Sequence, residues 1–563
     1  MRLLLVIALF FPARFLAQPF NWQWATSDTS TLSTPDVMGF ATDALGNSYV
    51  TGQFYGIARF GSLPPLTSVG LSDVYVAKYD NQGVALWAVQ GGGDNFDGPY
   101  DLAIDALGSV YITGYFQSPS VTFGSSTLTR QGQIDIFCAR LSVTDGGFVW
   151  AKRFGGGDLT SEPTERGEAI ACDDDGNVYV TGCFRYELAL PGLTTLDGCG
   201  QYYTTFVMKL APDGTGIWSR KPECGHQWIY SASEGQAITI GDDDMLYVGL
   251  RARGDTIFCE TDTLLNATTT GSTHDGVVIK YDLDGNYHWS RGIGGYGYDD
   301  VKALQADAEG NVYVAMHREQ QYNLGIPNID VAGSLGIYRN VILKMDADGN
   351  FIWGTRMGNS TYDHDIEAMK LESAETFLVG GWHQGNFEIG GAVPHPGVTG
   401  SYGLYLARFD SSSALTDVFS SRYQYPRGIR GIGLDGGANI YIAGYFQDSL
   451  SLPGIPVMDY DNASDGAMFL ARSGDFNTLT YAHPSEKDVS RVFPLPSTGA
   501  FTVRSTLPFA AIRVIDAMGR VVLEEAFERT DRRELHCERD GIYTVELLDD
   551  GKRLSTVRAL VLR

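Results

Sequence analysis

One short pattern recurs along the chain and restricts the fold more than any other feature. Its copies are "MGFATDALGNSYVTGQF" from Met38, "DLAIDALGSVYITGYF" from Asp101, "EAIACDDDGNVYVTGCF" from Glu168, "QAITIGDDDMLYVGLRA" from Gln236, "KALQADAEGNVYVAMHR" from Lys302, "EAMKLESAETFLVGGWH" from Glu367 and "RGIGLDGGANIYIAGYF" from Arg430. The anchoring aromatics are Tyr49, Tyr111, Tyr179, Tyr247, Tyr313, Phe377 and Tyr441, with successive gaps of 62, 68, 68, 66, 64 and 64 residues. A fixed period of this size signals a repeat architecture, in which each copy buries its faces against its neighbours. A second series runs in step: Trp24, Trp87, Trp150, Trp218, Trp289 and Trp353, with Phe419 in the seventh place. A third supplies strand-like runs such as "DVYVAKYD", "GVVIKYD" and "LYLARFD", joined to the Trp strand through Asp-Gly turns such as "YDLDGNYHW".

Each period therefore holds four strands, and seven periods predict an all-β chain. The expected architecture is a seven-bladed β-propeller of four-stranded blades over 18–484, followed by a small C-terminal β-sandwich over 485–563. The composition agrees, with 68 Gly, 30 Tyr and 28 Phe suited to short strands and tight turns. The recurring Trp and Tyr are expected to pack blade against blade. The first Trp strand, near Trp24, has no strand of the third series before it, so it is expected to complete the final blade. "TLTYA" from Thr478 competes for that edge.

The pattern "D..GN.YV.G" followed by "D.FVAK.D..G...W" resembles the bacterial seven-bladed β-propeller (SBBP) repeat family across residues 20–484. The resemblance implies the fold and a location outside the cytoplasm, and implies no common reaction. The N-terminus, "MRLLLVIALFFPARFLAQPF", has a basic start, an apolar run too short for a permanent span and a small residue at Ala17. It reads as a secretory signal peptide over 1–17. A formal net charge of -26 disfavours nucleic acid and anionic membranes as partners. No later segment is expected to cross a membrane as a helix.

From Lys487 the pattern changes to alternating apolar residues and Gly turns. Pro494, Pro496, Ser497, Thr498 and Gly499, then Asp516, Gly519 and Arg520, then Gly541, Ile542 and Tyr543 resemble the C-terminal sorting domain of the type IX (Por) secretion system. Leu495 departs from the usual "PNP". The resemblance implies a type IX secretion machinery partner and delivery to the cell surface or the extracellular space.

Chemistry is harder to find. The acidic stretch "DDDGNVYVTGCF" from Asp173 suggests a calcium loop, but its carboxylates are adjacent rather than spaced to converge on one ion. Among the copies, the first Asp and the Gly recur more often than Asp174 and Asp175. The pattern therefore reads as a turn, with structural calcium as the alternative and no other cofactor expected. No G-x-S-x-G, H-E-x-x-H or sialidase-type box occurs. The loops leading into the "AIACD"-like strands gather aromatic and acidic side chains: Asp94, Asp97, Tyr100, Trp228, Tyr230, Tyr298, Asp299, Tyr362, Asp363 and His364. Aromatic faces with carboxylates can hold sugars or cations. The expected function is binding, adhesion or scaffolding for a glycan or surface protein. The alternative is a polysaccharide hydrolase or lyase using loop carboxylates. Of seven Cys, Cys183 and Cys199 flank a hairpin and are the expected disulfide.

Overall fold

The computed structural model describes residues 20–30, 36–106, 108–156, 165–200, 202–224, 232–253, 256–259, 262–265, 274–294, 297–318, 339–357, 364–385, 387–389, 392–395, 402–423, 428–447, 449–459, 466–474, 491–493, 500–516, 520–536, 541–549 and 552–561. The expected signal peptide, Trp228, Tyr230, Tyr362, Asp363 and Cys537 lie outside them. Two compact units divide the chain, Met1–Phe476 and Asn477–Arg563. Every element among the described residues is a strand.

In the first unit, the sequence pattern folds among the described residues into seven antiparallel sheets with a common four-stranded core; four stop there, three are extended to six strands by added hairpins, and three smaller sheets of two or three strands lie beside them. The third runs Arg166–Cys172, Val178–Phe184, Thr204–Leu210 and Gly216–Arg220, hydrogen-bonded in that order. Its second and third strands are buried at every residue, because both faces meet neighbouring sheets. That explains why "VYVTGCF" and "TFVMKL" show little polar alternation, while the fourth strand alternates and ends the sheet at solvent. The last sheet is built on Ile429–Leu434, Ile440–Phe446 and Ala467–Ser473, its fourth strand is Trp22–Ser30 from the N-terminal end of the unit, and the end of that strand pairs in turn with the Ile57–Arg59 and Leu66–Thr67 hairpin. The expected role of the Trp24 strand is thus observed. First strands lie against one another from sheet to sheet, and Ile429–Leu434 lies against Gly39–Thr42.

The turn that opens the second strand is held by its first Asp. Asp173 Oδ1 accepts from the Asn177 amide at 2.8 Å, and Oδ2 accepts from Asn177 Nδ2 at 2.8 Å and the Tyr179 hydroxyl at 3.0 Å. Gly176 takes φ +77°, a conformation that disfavours any side chain. Asp43 and Asp435 make the same three kinds of bond. Asp174 and Asp175 are exposed. Replacing Asp173 with Ala leaves a buried hydroxyl and an amide without their acceptor. The expected cost is about 1–3 kcal/mol, seen as a lower urea midpoint with an unchanged slope; an unchanged midpoint would refute the role.

The Trp and Tyr series stitch sheet to sheet. In the first five sheets Trp Nε1 donates to a turn carbonyl of the next: Trp87 to Val143 at 3.1 Å, Trp150 to Pro212 at 2.9 Å, Trp218 to Leu283 at 3.1 Å, Trp289 to Ala347 at 2.8 Å and Trp353 to Ser411 at 2.9 Å. Trp24, in the last sheet, donates in the same way to Asn81 of the first at 3.0 Å. A Lys or Arg from the third strand covers each Tyr ring, as Lys209 does Tyr179 at 5.0 Å. The sixth sheet differs. Leu378, not Phe377, stands in the Tyr place, pairing with Lys370 as Tyr313 pairs with Gln305. With no phenol there, Glu372 instead takes a bidentate ion pair from Arg408, at 2.6 and 2.7 Å.

The second unit is a single hydrogen-bonded antiparallel sheet of Arg491–Phe493, Ala500–Asp516, Val521–His536, Gly541–Asp549 and Lys552–Val561, rather than two separate sheets. The long Ala500–Asp516 strand changes register after Arg504, so its two halves serve different partners. Ile512, Val514, Leu535, Val545, Leu547 and Leu548 are buried.

Candidate functional site

A β-bulge interrupts the first strand of six sheets, and the same column of the repeat supplies the extra residue each time. These residues are Tyr100, Glu168, Gln236, Lys302, Glu367 and Arg430. The bulge drives a first-strand carbonyl against the second strand. A Cβ on Gly182 would lie 1.9 Å from the Arg166 carbonyl oxygen, and one on Gly381 2.0 Å from that of Asp365. In the sheets that carry a glycine here, the glycine makes room for the bulge, whereas the fourth and fifth sheets carry Leu250 and Met316 in that column. Bulges re-aim side chains, and here the re-aimed residues join their strand neighbours in a belt of ion pairs.

The belt crosses from sheet to sheet. Arg166 lies 3.6 Å from Glu168. Arg251 binds Glu234 at 2.8 Å and reaches Asp300 at 3.8 Å. Lys302 stands 3.9 Å from both Asp300 and Asp365, and His317 Nδ1 is 3.5 Å from Asp365. Arg430 binds Glu367 of the preceding sheet at 2.7 Å. Glu168, Cys183 and Glu234 bring a thiol and two carboxylates within 4.8 Å of one another. In donor type these three could hold a cation, but each carboxylate already faces an arginine.

Burial sets the electrostatics. It pushes the Glu168 carboxyl up to about 7, with Arg166 opposing and Glu234 reinforcing. It pushes the Cys183 thiol well up. Glu367 is raised by burial against the pull of Arg430. At Asp365 burial also acts upward, but His317 and Lys302 outweigh it and hold the carboxyl below its usual range. Buried Asp101, accepting from the amides of Ile170 and Leu102, is likewise raised to about 7. A carboxyl with a raised folded pKa holds its proton more tightly folded than unfolded. Its favourable contribution is therefore greatest below about pH 4.5 and is lost as pH rises to about 7. Melting temperature should fall across that window, and Glu168→Gln should flatten the fall. An identical slope in the variant would contradict the assignment.

Of the residues expected at the site, Tyr100 is a bulge residue of the belt, half-buried, with its ring 5.5 Å from that of Tyr115. Asp94 and Tyr298 are exposed, and Tyr298 stacks on His274 at 5.2 Å. Asp97, Asp299 and His364 are buried at the heads of first strands. The Asp97 carboxylate accepts from the amides of Gly93, Gln117 and Ser118 and the Ser118 hydroxyl, at 2.7–3.1 Å, so it holds the loop. His364 Nε2 lies 2.7 Å from the Met357 carbonyl oxygen. The expected Cys183–Cys199 disulfide is not formed, and both residues keep thiols. The Cys199 amide binds Thr204 Oγ1, and Thr204 pairs with Phe184. Cys183 pairs with Thr205 and so projects from the opposite face. Sequence reading missed Glu168, Glu234, Arg251, Lys302, Glu367 and Arg430 as site residues. The recurrent glycine was an available signal for Glu168 and Glu367, and it is absent from the sheets that hold Glu234, Arg251 and Lys302.

The chain is an exported all-β protein. Residues 491–563 match the secretion system C-terminal sorting domain, which addresses the protein through the type IX machinery to the cell surface or extracellular space. No curated protein matches the chain. Among solved structures, a polysaccharide lyase, an ulvan lyase, is similar at 11% identity over 74% of this chain and 93% of its own, TM-score 0.39. The β-propeller domain of the Trilobed protease from Pyrococcus furiosus is similar at 8% identity over 81% and 100%, TM-score 0.36. No helix among the described residues is long and apolar enough to cross a membrane.

Proposed function

We propose that the seven sheets are blades of a closed propeller of the SBBP repeat type, and that the exported protein binds a glycan or surface-protein ligand through its central channel. The observation that carries this reading is the bulge belt: one structural device, repeated in six sheets, presents side chains of five kinds. A purely architectural repeat has no need to vary that column while keeping the "D..G..Y" turn. Closure is supported by Trp22–Ser30 in the last sheet and by the Trp24 bond to the first. Binding here needs no cation, since the turn carboxylates are taken by amides and hydroxyls; heat on calcium titration would count against that. The test is a glycan array probed with the full mature protein, alongside Arg251→Glu. Retention of a glycan by the native protein, weakened in the variant, supports the reading; equal retention by both removes the belt from it.

A second reading, an exported polysaccharide hydrolase or lyase, is favoured by one pair. Glu168 is raised towards neutrality while Glu234, within 4.8 Å, is ion-paired with Arg251. Such a pairing separates an acid from a base. Turnover of a bound glycan, abolished in Glu168→Gln with binding kept, would establish it; binding without turnover returns the protein to the first reading.

A further inference from the structure

The belt ends in a guanidinium that meets no carboxylate. Arg185 follows the second strand of the third sheet, is half-buried, and packs 4.4 Å over the Tyr203 ring. Its Nε is buried with no hydrogen-bond partner, and among the described residues no acidic group lies within ion-pair distance of it. Arg166 approaches the same ring at 5.9 Å while keeping its ion pair with Glu168 at 3.6 Å. Two guanidiniums thus share one aromatic platform in a chain of net charge -26, where acidic partners are plentiful. Leaving such a group half-buried without a counter-charge costs free energy that a ligand anion would recover.

The backbone beside it is strained. Tyr186 takes φ +58° and is 38% exposed. The corresponding places in the first and sixth sheets are Gly56 and Gly385, at φ +71° and +60°, where the conformation costs little. A tyrosine kept there at a cost of about 1 kcal/mol or more sets a further aromatic residue next to Arg185. Tyr100 and Tyr115 stand on the neighbouring sheet.

We infer that Arg166, Arg185 and Tyr203 form an oxyanion subsite of the channel, reading the carboxylate or sulfate of an acidic sugar. The inference rests on the channel-binding reading and names its ligand class. The guanidinium fork matches a planar or tetrahedral oxyanion in two parallel hydrogen bonds. The ring beneath fixes both forks through cation–π contact, leaving the N–H edge of Arg185 for the ligand and Arg166 beside it, shared with Glu168. Tyrosine faces suit pyranose rings, which favours a glycan over an acidic peptide.

The test uses the full mature protein with four probes: polygalacturonate, dextran sulfate, uncharged dextran and poly-glutamate. Binding should favour polygalacturonate or dextran sulfate, the stronger of the two identifying the anion, and should weaken with salt. Arg185→Gln should lose about tenfold in affinity, the scale of one charge-assisted pair, with the melting temperature of the unliganded protein no lower than the native value. Tyr203→Leu, which removes the platform and keeps the charges, should lose affinity in the same direction. If dextran binds as tightly as the acidic polymers and Arg185→Gln matches the native protein, the subsite is overturned while the binding reading stands. If poly-glutamate is preferred, the sugar assignment is overturned. If no probe and no glycan on the array binds, both fall.

Discussion

Without residues 487–563 the protein should collect in the periplasm, with none at the cell surface or in the medium. The two ends are expected to act as separate addresses. The N-terminal segment reads as a ticket across the inner membrane, and 491–563 is the sorting domain read by the type IX machinery. The repeat unit ends at Phe476 by its own contacts, so truncation beyond it leaves the seven sheets whole. The effect is therefore on location rather than folding. Fractionation with immunoblotting, and surface accessibility to added protease, would read it. Normal display of the truncated chain would refute the sorting role.

Deleting Phe20–Ser30 should abolish cooperative unfolding of the repeat unit. The segment is the fourth strand of the last sheet, and without it Ala467–Ser473 becomes a bare, apolar edge. Phe20 and Trp22 are 6% and 4% exposed, in a cluster with Phe419, Leu404 and Ile440. Burying large aromatics of this kind is worth about 3–5 kcal/mol each, against a typical domain stability of about 5–15 kcal/mol. Asp28 also accepts from the Tyr79 hydroxyl of the first sheet and from the Gly61 amide just after Ile57–Arg59, so the same segment ties two sheets together. Trp150→Ala, an interior stitch, should cost about 3–5 kcal/mol yet leave one sharp transition. A deletion variant that melts as sharply and as high as the native protein would show that this strand is dispensable.

The architecture was legible because its determinants are local and periodic. Asp173, Gly176, Tyr179, Lys209 and Trp218 each perform one task and recur at one spacing, so letters and structure share a period. Phe377 shows the limit: aligning on the aromatic letter misses that Leu378 holds the column. The belt was illegible for the converse reason. Its column carries Tyr, Glu, Gln, Lys, Glu and Arg, which share a backbone irregularity and no chemistry. Asp97, Asp299 and His364 looked available because loop acids and histidines usually face solvent, and nothing local in the sequence marks a side chain turned inward to cap a loop. Cys183 and Cys199 were misjudged because sequence separation across a hairpin says nothing about which face each residue takes.

The last sheet has a consequence for biosynthesis. Its fourth strand is among the earliest segments to emerge and its third among the latest, so residues 22–30 wait for residues 467–473 throughout translocation. The repeat unit cannot complete its final sheet vectorially, and the sorting domain follows almost as soon as the missing partner arrives. Maturation of the fold and presentation of the export signal are thereby synchronised, and an interrupted chain is left both unfinished and without its address.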